Sequence, residues 1–249
     1  GTYTATITNN TVETVRVSAA FDGSDVGNAV DVSFTFTSKT INFKGSIYKT
    51  MKSPSTGRIW LDRNLGATQT QEVNSGTNSA AYGDIYQWGR RKDGHESRGS
   101  GKISTRLASI TATDNRFIVN NETPDDWTTN RAVDDNGEDR MAAWADGGVN
   151  DICPAGFSVP TKAELFADTR DFRNTAEALS SFLRIPTAGF RGHIDGALGN
   201  VGADANLWTR SVKGSKSYSL NMFKESARFN EAVRTMGFSV RCIRVRVKQ

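Results

Sequence analysis

With 37% hydrophobic and 23% charged residues, a chain of 249 residues has enough apolar mass for a real core and the composition of a globular protein. Its apolar runs fall well short of the roughly 18 residues that a membrane helix needs, which argues against helical membrane insertion. Lys and Arg exceed Asp and Glu by 31 to 27, but residues 210–249 hold ten of the basic residues and only two acidic ones, so a basic C-terminal segment follows a net acidic remainder. Such a surface would steer anionic partners toward it.

The first forty residues alternate as strands do. "VETVRVSAAF" puts Val15, Val17, Ala19 and Phe21 on one face, and "AVDVSFTF" does the same with Val30, Val32, Phe34 and Phe36. Asp22-Gly23 is a turn signal between them. With "TYTATIT" before them there are three such strands, too few to close a sandwich, so residues 1–38 read as the trailing part of one, with a second domain over 39–249. Two further short strands are expected at Ser46–Met51 and Gly57–Asp62, joined by the turn Ser53-Pro-Ser-Thr-Gly57. "AAYGDIYQWGRRKDG" sets Tyr82, Tyr86 and Trp88 among glycines. Residues 93–150 are polar and Gly/Asn/Asp-rich, and they predict a long irregular segment with Trp127 and Trp144 turned inward.

Thr161 followed three residues later by Glu164 is a capping box, and it predicts a helix carrying Leu165 and Phe166. Ala178, Leu179, Phe182 and Leu183 predict a second helix over about Thr175–Leu183. Glycine-rich turns and strands follow, ending in the alternating Gly237–Arg244. Strands, a long loop, short helices and closing strands together make an α+β fold with little helix.

The sequence presents no recognisable catalytic constellation. His95 and His193 lack the spacing of a zinc peptidase, and no nucleophile elbow, phosphate loop or dinucleotide fingerprint occurs. "AVDDNGEDRMAA" has the look of a calcium loop around Gly137, but Ala132 and Ala143 would occupy its first and last ligand positions. No catalytic residue, metal or cofactor is therefore assigned. The basic segment lacks the aromatic interleaving of a single-strand nucleic-acid binder, so nucleic acid is not expected as a partner. Cys153 and Cys242 lie too far apart for a CxxC motif; they are either a disulfide of an exported protein or two buried thiols. The five tryptophans read as core plugs.

Two resemblances add to this. "GTYTATIT" through "DVSFTF" resembles the end of a bacterial Ig-like repeat of the invasin/intimin type, which implies a stalk. "GRIWLDRNLGAT", "YGDIYQWGRRKDG", "CPAGFSVPTKAEL", "IPTAGFRGHIDGALGNVG", "LWTRS" and "GFSVRCIR" resemble, in that order, bacterial and phage proteins with a C-type-lectin-like domain of the formylglycine-generating-enzyme branch. Many of these are variable proteins of diversity-generating retroelements, similar to the phage major tropism determinant.

The resemblance implies an extracellular, cell-surface or virion-borne head that binds a protein or glycan receptor on another cell and is not an enzyme. Its C-terminal segment, about 206–236, would present a variable surface on fixed anchors. The residues expected to touch the ligand are Asn206, Arg210, Lys213, Lys216, Ser219, Asn221, Lys224, Glu225, Arg228, Asn230, Glu231, Val233 and Thr235. Trp208, Leu220, Met222, Ala227, Arg234 and Gly237 would form the scaffold beneath them. The other reading is a structural tip or fibre protein with no ligand of its own. Lys213, Lys216, Lys224, Glu225, Glu231 and Met236 depart from what adenine-directed mutagenesis makes from Asn codons, so the binding surface carries over more directly than its diversification.

Overall fold

The computed structural model describes residues 14–17, 20–21, 24–25, 27, 30–33, 37–72, 78–123, 125–129 and 136–246. The chain divides into two compact units, Gly1–Lys39 and Thr40–Gln249. In the first, β1 (Thr14–Val17) pairs antiparallel with β4 (Val30–Ser33), with Val15 opposite Val32 and Val17 opposite Val30. Between them lies the short pair β2 (Ala20–Phe21) and β3 (Ser24–Asp25). The expected Asp22-Gly23 turn and the strand "TYTATIT" lie outside the described residues.

The second unit is strand-rich with little helix. β5 (Thr40–Phe43), β6 (Ser46–Lys52) and β7 (Ile59–Leu61) form an antiparallel meander. It is extended on the β7 side by β18 (Ile243–Arg244) and β11 (Phe157–Ser158). A second sheet runs β13 (Leu198–Gly199), β12 (Phe190–Arg191), β17 (Gly237–Phe238), β8 (Tyr86–Gln87). The third has the order β14 (Ala205–Lys213), β15 (Lys216–Met222), β16 (Ala227–Val233). One parallel pair, β9 (Lys102–Ile103) with β10 (Phe117–Ile118), crosses the long segment.

Among the described residues three short α-helices interrupt the strands. α1 (Glu138–Ala143) was not expected from the sequence. It begins at Gly137, whose φ of +79° suits glycine alone, and a Cβ there would collide with the Arg234 guanidinium. α2 (Lys162–Thr169) carries the full capping box: the Thr161 hydroxyl accepts from the Glu164 N–H at 3.1 Å, and Glu164 accepts from the Thr161 N–H at 2.8 Å. α3 is Thr175–Ser180, shorter than expected because Ser181 turns to extended backbone and its hydroxyl takes the Ala178 carbonyl at 2.7 Å. Leu183 still reaches the core from the loop beyond.

Five tryptophans with no exposed surface, Trp60, Trp88, Trp127, Trp144 and Trp208, organise the interior. Each indole N–H finds an acceptor, so burying these large rings leaves no donor orphaned. Trp60 donates to Asp168 at 2.8 Å, Trp88 to the Thr209 carbonyl at 2.8 Å, and Trp127 to the Trp88 carbonyl at 2.7 Å. Trp144 donates to the Arg90 carbonyl at 3.0 Å and Trp208 to the Tyr86 carbonyl at 2.7 Å. Four of the five acceptors are backbone carbonyls, that of Thr209 lying inside β14 where its ladder to β15 is interrupted. Trp127 and Trp144, from the long segment itself, bond the carbonyls of Trp88 and Arg90 and so add to the short β9–β10 ladder in holding it. Cys153 and Cys242 are joined in a disulfide, which resolves the sequence alternatives in favour of a bridge. It ties the start of the "CPAGF" turn to the last strands inside the core containing Trp88, Trp144 and Trp208.

The basic C-terminal segment is less of a surface than its composition implies. Arg234 and Arg241 are buried. The Arg241 guanidinium donates to the Leu183 carbonyl at 2.7 Å and to Asn64 Oδ1 at 3.1 Å, and burial lowers its pKa to about 9. These two arginines fix backbone segments; they do not face a partner.

Candidate binding surface

The segment read from sequence as ligand-facing is the β14–β15–β16 sheet with its turns. Its register assigns every side chain to a face. Leu207, Leu220 and Phe229 stand in line on one face, and Asn206, Asn221 and Arg228 on the other. Ala205, Leu207, Leu220 and Met222 on the first face are buried with Leu165, Ala178 and Leu183 from α2, α3 and the loop after α3, and Ala227 and Phe229 pack against that cluster. On the second face Trp208 enters the main core, with Val212 and Ala232 against it. Between Trp208 and Val212 the register shifts, four residues of β14 spanning two of β15, and both side chains remain on the same side. The sheet is therefore covered on both faces near β14 and emerges toward β16.

Four of the expected contact residues are corrected by this geometry. Asn206, Ser219, Asn221 and Thr235 are buried. Ser219 donates to Asn221 Oδ1 at 2.9 Å, Asn221 donates to Asn206 Oδ1 at 2.5 Å, and Asn206 donates to the Gly189 carbonyl at 3.2 Å. This polar chain crosses β15 and β14 beneath the surface and satisfies groups that would otherwise be stranded beside Trp208. Thr235 hydrogen-bonds the Asp125 carbonyl through its hydroxyl, and its own carbonyl accepts from Gln87 Nε2 at 2.9 Å. These four residues position the surface and do not form it.

Of the remaining nine, Lys213, Lys216, Lys224, Glu225, Arg228 and Glu231 are exposed, and Arg210, Asn230 and Val233 are half-buried. Lys213 and Lys216 stand directly opposite each other at the β14–β15 hairpin end, a like-charged pair with no advantage to the sheet itself. The expected scaffold residues Trp208, Leu220, Met222, Arg234 and Gly237 are buried, and Ala227 is partly so.

Three neighbours were not foreseen. Phe166, expected only to lie on a helix beside Leu165, is 49% exposed and meets Phe229 edge-on with ring centroids 6.0 Å apart. Consecutive residues on a helix point about 100° apart, so a helix resting on the sheet through Leu165 must turn Phe166 to its rim. Tyr218 is the second neighbour, and the third is Lys162, whose ammonium stands 3.8 Å from the Tyr218 ring centroid. Phe166, Phe229, Tyr218, Lys162 and Lys216 thus give one side of the sheet an aromatic and basic rim. The adjacent residues Leu165-Phe166 carried the only sequence signal for it.

A second cluster shows why titratable groups alone do not define the site. Asp93, His95 and Glu96 bring their side-chain ligand atoms within 4.8 Å of one another. However, His95 Nδ1 faces Asp93 at 2.6 Å, and its Nε2 accepts the Gln87 N–H at 3.1 Å, so both ring nitrogens are engaged. Arg90 pairs with Asp93 at 3.0 Å, and Lys92 lies 3.6 Å from Glu96. The acidic charge is balanced by cations of the chain, and the donor set does not fit a metal. The cluster is structural: Gln87, held by His95, bonds the Ile118 and Thr235 carbonyls.

Among the described residues no helix is long and apolar enough to cross a membrane. No family model matches the chain, and neither the curated proteins nor the solved structures offer a match.

Proposed function

We propose that the chain is an extracellular binding module. In this reading a C-type-lectin-like head over 39–249 contacts a protein or glycan receptor through the β15–β16 hairpin and the α2 rim, and residues 1–38 belong to an Ig-like stalk. The observation that carries it is the division of labour along 206–236. Trp208, Leu220, Met222 and the hydrogen-bonded Asn206–Asn221–Ser219 chain are buried, while Lys213, Lys216, Arg228 and Glu231 project from the same strands and Lys224 from the turn between β15 and β16, their side chains making no ion pair or hydrogen bond among the described residues. A rigid frame spares the backbone's share of the entropic cost of binding, although each long side chain fixed at the interface still costs some. Arg228 and the aromatic residues Phe166, Tyr218 and Phe229 are of the types enriched at interfaces, and the lysines add charge that steers an anionic partner. The Cys153–Cys242 bridge suits an oxidising compartment.

The test is simultaneous replacement of Lys213, Lys216, Lys224, Arg228 and Glu231 by alanine. Fluorescently labelled wild-type and variant proteins are then compared for adhesion across a panel of bacterial and eukaryotic cells and an immobilised glycan set. The expected result is adhesion of the wild type to a subset of targets, lost in the variant, with an unchanged circular dichroism spectrum. Equal adhesion by both proteins, or none by either, would remove the reading in favour of a structural role.

A further inference from the structure

The two edges of the three-stranded sheet differ. The outer edge of β14 is closed by neighbouring backbone: Trp208 N–H donates to the Ser239 carbonyl at 3.0 Å, Ser239 N–H to the Asn206 carbonyl at 3.2 Å, and Arg210 N–H to the Pro160 carbonyl at 2.8 Å. β16 pairs with β15 alone among the described residues. The ladder between them is regular over seven pairs, from Lys216 opposite Val233 to Met222 opposite Ala227. In an antiparallel ladder alternate residues turn their N–H and C=O groups away from the paired strand. Along Ala227–Ala232 no described backbone group meets those outward donors and acceptors.

Natural sheets blunt such an edge with proline, lysine, a bulge or a very short strand. β16, Ala-Arg-Phe-Asn-Glu-Ala-Val, has no proline, lysine or bulge and is seven residues long; its only such devices are the charges of Arg228 and Glu231, one on each face.

We propose that β16 is a docking edge that takes an extended, acidic segment of the ligand as a fourth strand. This deepens the binding reading above and rests on it. Backbone pairing gives such a complex its affinity, and alternate side chains give it specificity. The charges around the edge set the guest's chemistry. The exposed side chains of Lys213, Lys216, Lys224 and Arg228 outnumber those of Glu225 and Glu231. Arg228 and Asn230 share one face, whereas Glu231 lies with Phe229 and the adjoining Phe166 on the other. A strand with acidic side chains on the Arg228 face and apolar ones on the Phe229 face satisfies both and keeps its carboxylates away from Glu231. A second copy of this chain does not. Antiparallel pairing of β16 with itself leaves each Arg228 and each Glu231 on opposite faces, so no ion pair forms across the seam.

The experiment uses the whole chain, 15N-labelled, and a capped heptapeptide of alternating Val and Glu beginning and ending in Val. Expected are amide shifts centred on 227–233, slowed hydrogen exchange of the outward set, and at least tenfold weaker binding when Lys replaces every Glu. Expected too is loss of binding when alternate peptide amides are N-methylated along one edge. Asn230→Pro and Glu231→Pro provide a check from the protein's side. Only one of the two removes an outward N–H, and that one keeps its dichroism spectrum but loses the peptide. The proposal is overturned if millimolar peptide leaves 227–233 unshifted or if the N-methylated peptide binds equally well. It is equally overturned if those amides are protected without peptide by dimerisation seen in sedimentation. Loss of cell adhesion in the alanine variant alongside peptide failure would sink the edge alone. Peptide binding with adhesion insensitive to the alanines would sink the side-chain surface instead.

Discussion

Asp126 receives both ends of the Arg140 guanidinium, Nη1 at 2.7 Å and Nη2 at 2.8 Å, with both side chains buried. Arg234, from the turn that follows β16, brings its Nη1 to 3.6 Å from the same carboxylate. Arg140 and Arg234 also lie 5.5 and 5.0 Å from the Trp88 ring centroid. One acid thus connects the long segment, α1 and the end of β16. Removing one partner of a buried pair exposes the other to the full cost of its desolvation. Asp126→Ala is expected to lose about 3–5 kcal/mol of stability, read as a lower urea midpoint. An unchanged midpoint would show that the pair contributes nothing net.

The Cys153–Cys242 bridge closes a loop of 89 residues in sequence. Chain-entropy reasoning assigns a loop of that size about 4–5 kcal/mol. Cys153→Ser with Cys242→Ser, or reduction of the wild type, should lower the thermal midpoint accordingly in calorimetry. A midpoint that ignores reductant would mean that the tryptophan core already fixes both segments.

Asp168, on α2, collects four donors. Its Oδ1 accepts from the hydroxyls of Ser53 at 2.5 Å, Ser55 at 3.2 Å and Thr56 at 2.8 Å, and its Oδ2 accepts from Trp60 Nε1. It pins the β6–β7 turn to the helix. Asp168→Ala strands the buried indole N–H and should cost about 1–3 kcal/mol. In a double-mutant cycle with Trp60→Phe the two losses should be less than additive. Strict additivity would deny that the carboxylate acts through Trp60.

His95 is wholly buried, and that burial depresses its pKa to about 4, against the opposing hydrogen bond to Asp93. Its folded value lies below its unfolded value of about 6.5, so the unfolded chain binds the extra proton first. The contribution is complete above pH 6.5 and is lost as pH falls from there toward 4, amounting to about 3 kcal/mol in all. His95→Gln, which keeps an acceptor for the Gln87 N–H, should flatten the slope of stability against pH over that window. A slope identical to that of the wild type would assign the acid sensitivity to other groups.

Local signals were legible where the chain's own neighbours decide conformation. The capping box at Thr161–Glu164 and the strands around the Ser53–Gly57 turn follow from residues within a few positions of each other. The tryptophans read as buried because their area can be satisfied nowhere else. Phe166 and the helix Glu138–Ala143 were not legible. Which flank of a helix meets a sheet depends on the sheet's position, and α1 is anchored by Asp126 and packs over the Trp88 ring. Asn206, Ser219, Asn221 and Thr235 misled for the same reason: a polar side chain in a strand looks exposed until its partners are known.

By itself, then, the amino-acid order determined strand-rich α+β architecture, a tryptophan-filled core and a C-terminal segment mixing anchors with polar residues, because hydrophobic period and turn chemistry are local. Tertiary structure alone decided which of those polar residues point outward, that Cys153 meets Cys242, and that the outer edge of β14 is paired while β16 pairs only with β15 among the described residues. Burial, pairing and edge closure are relations between segments far apart in the chain, and only the packed fold brings those segments together.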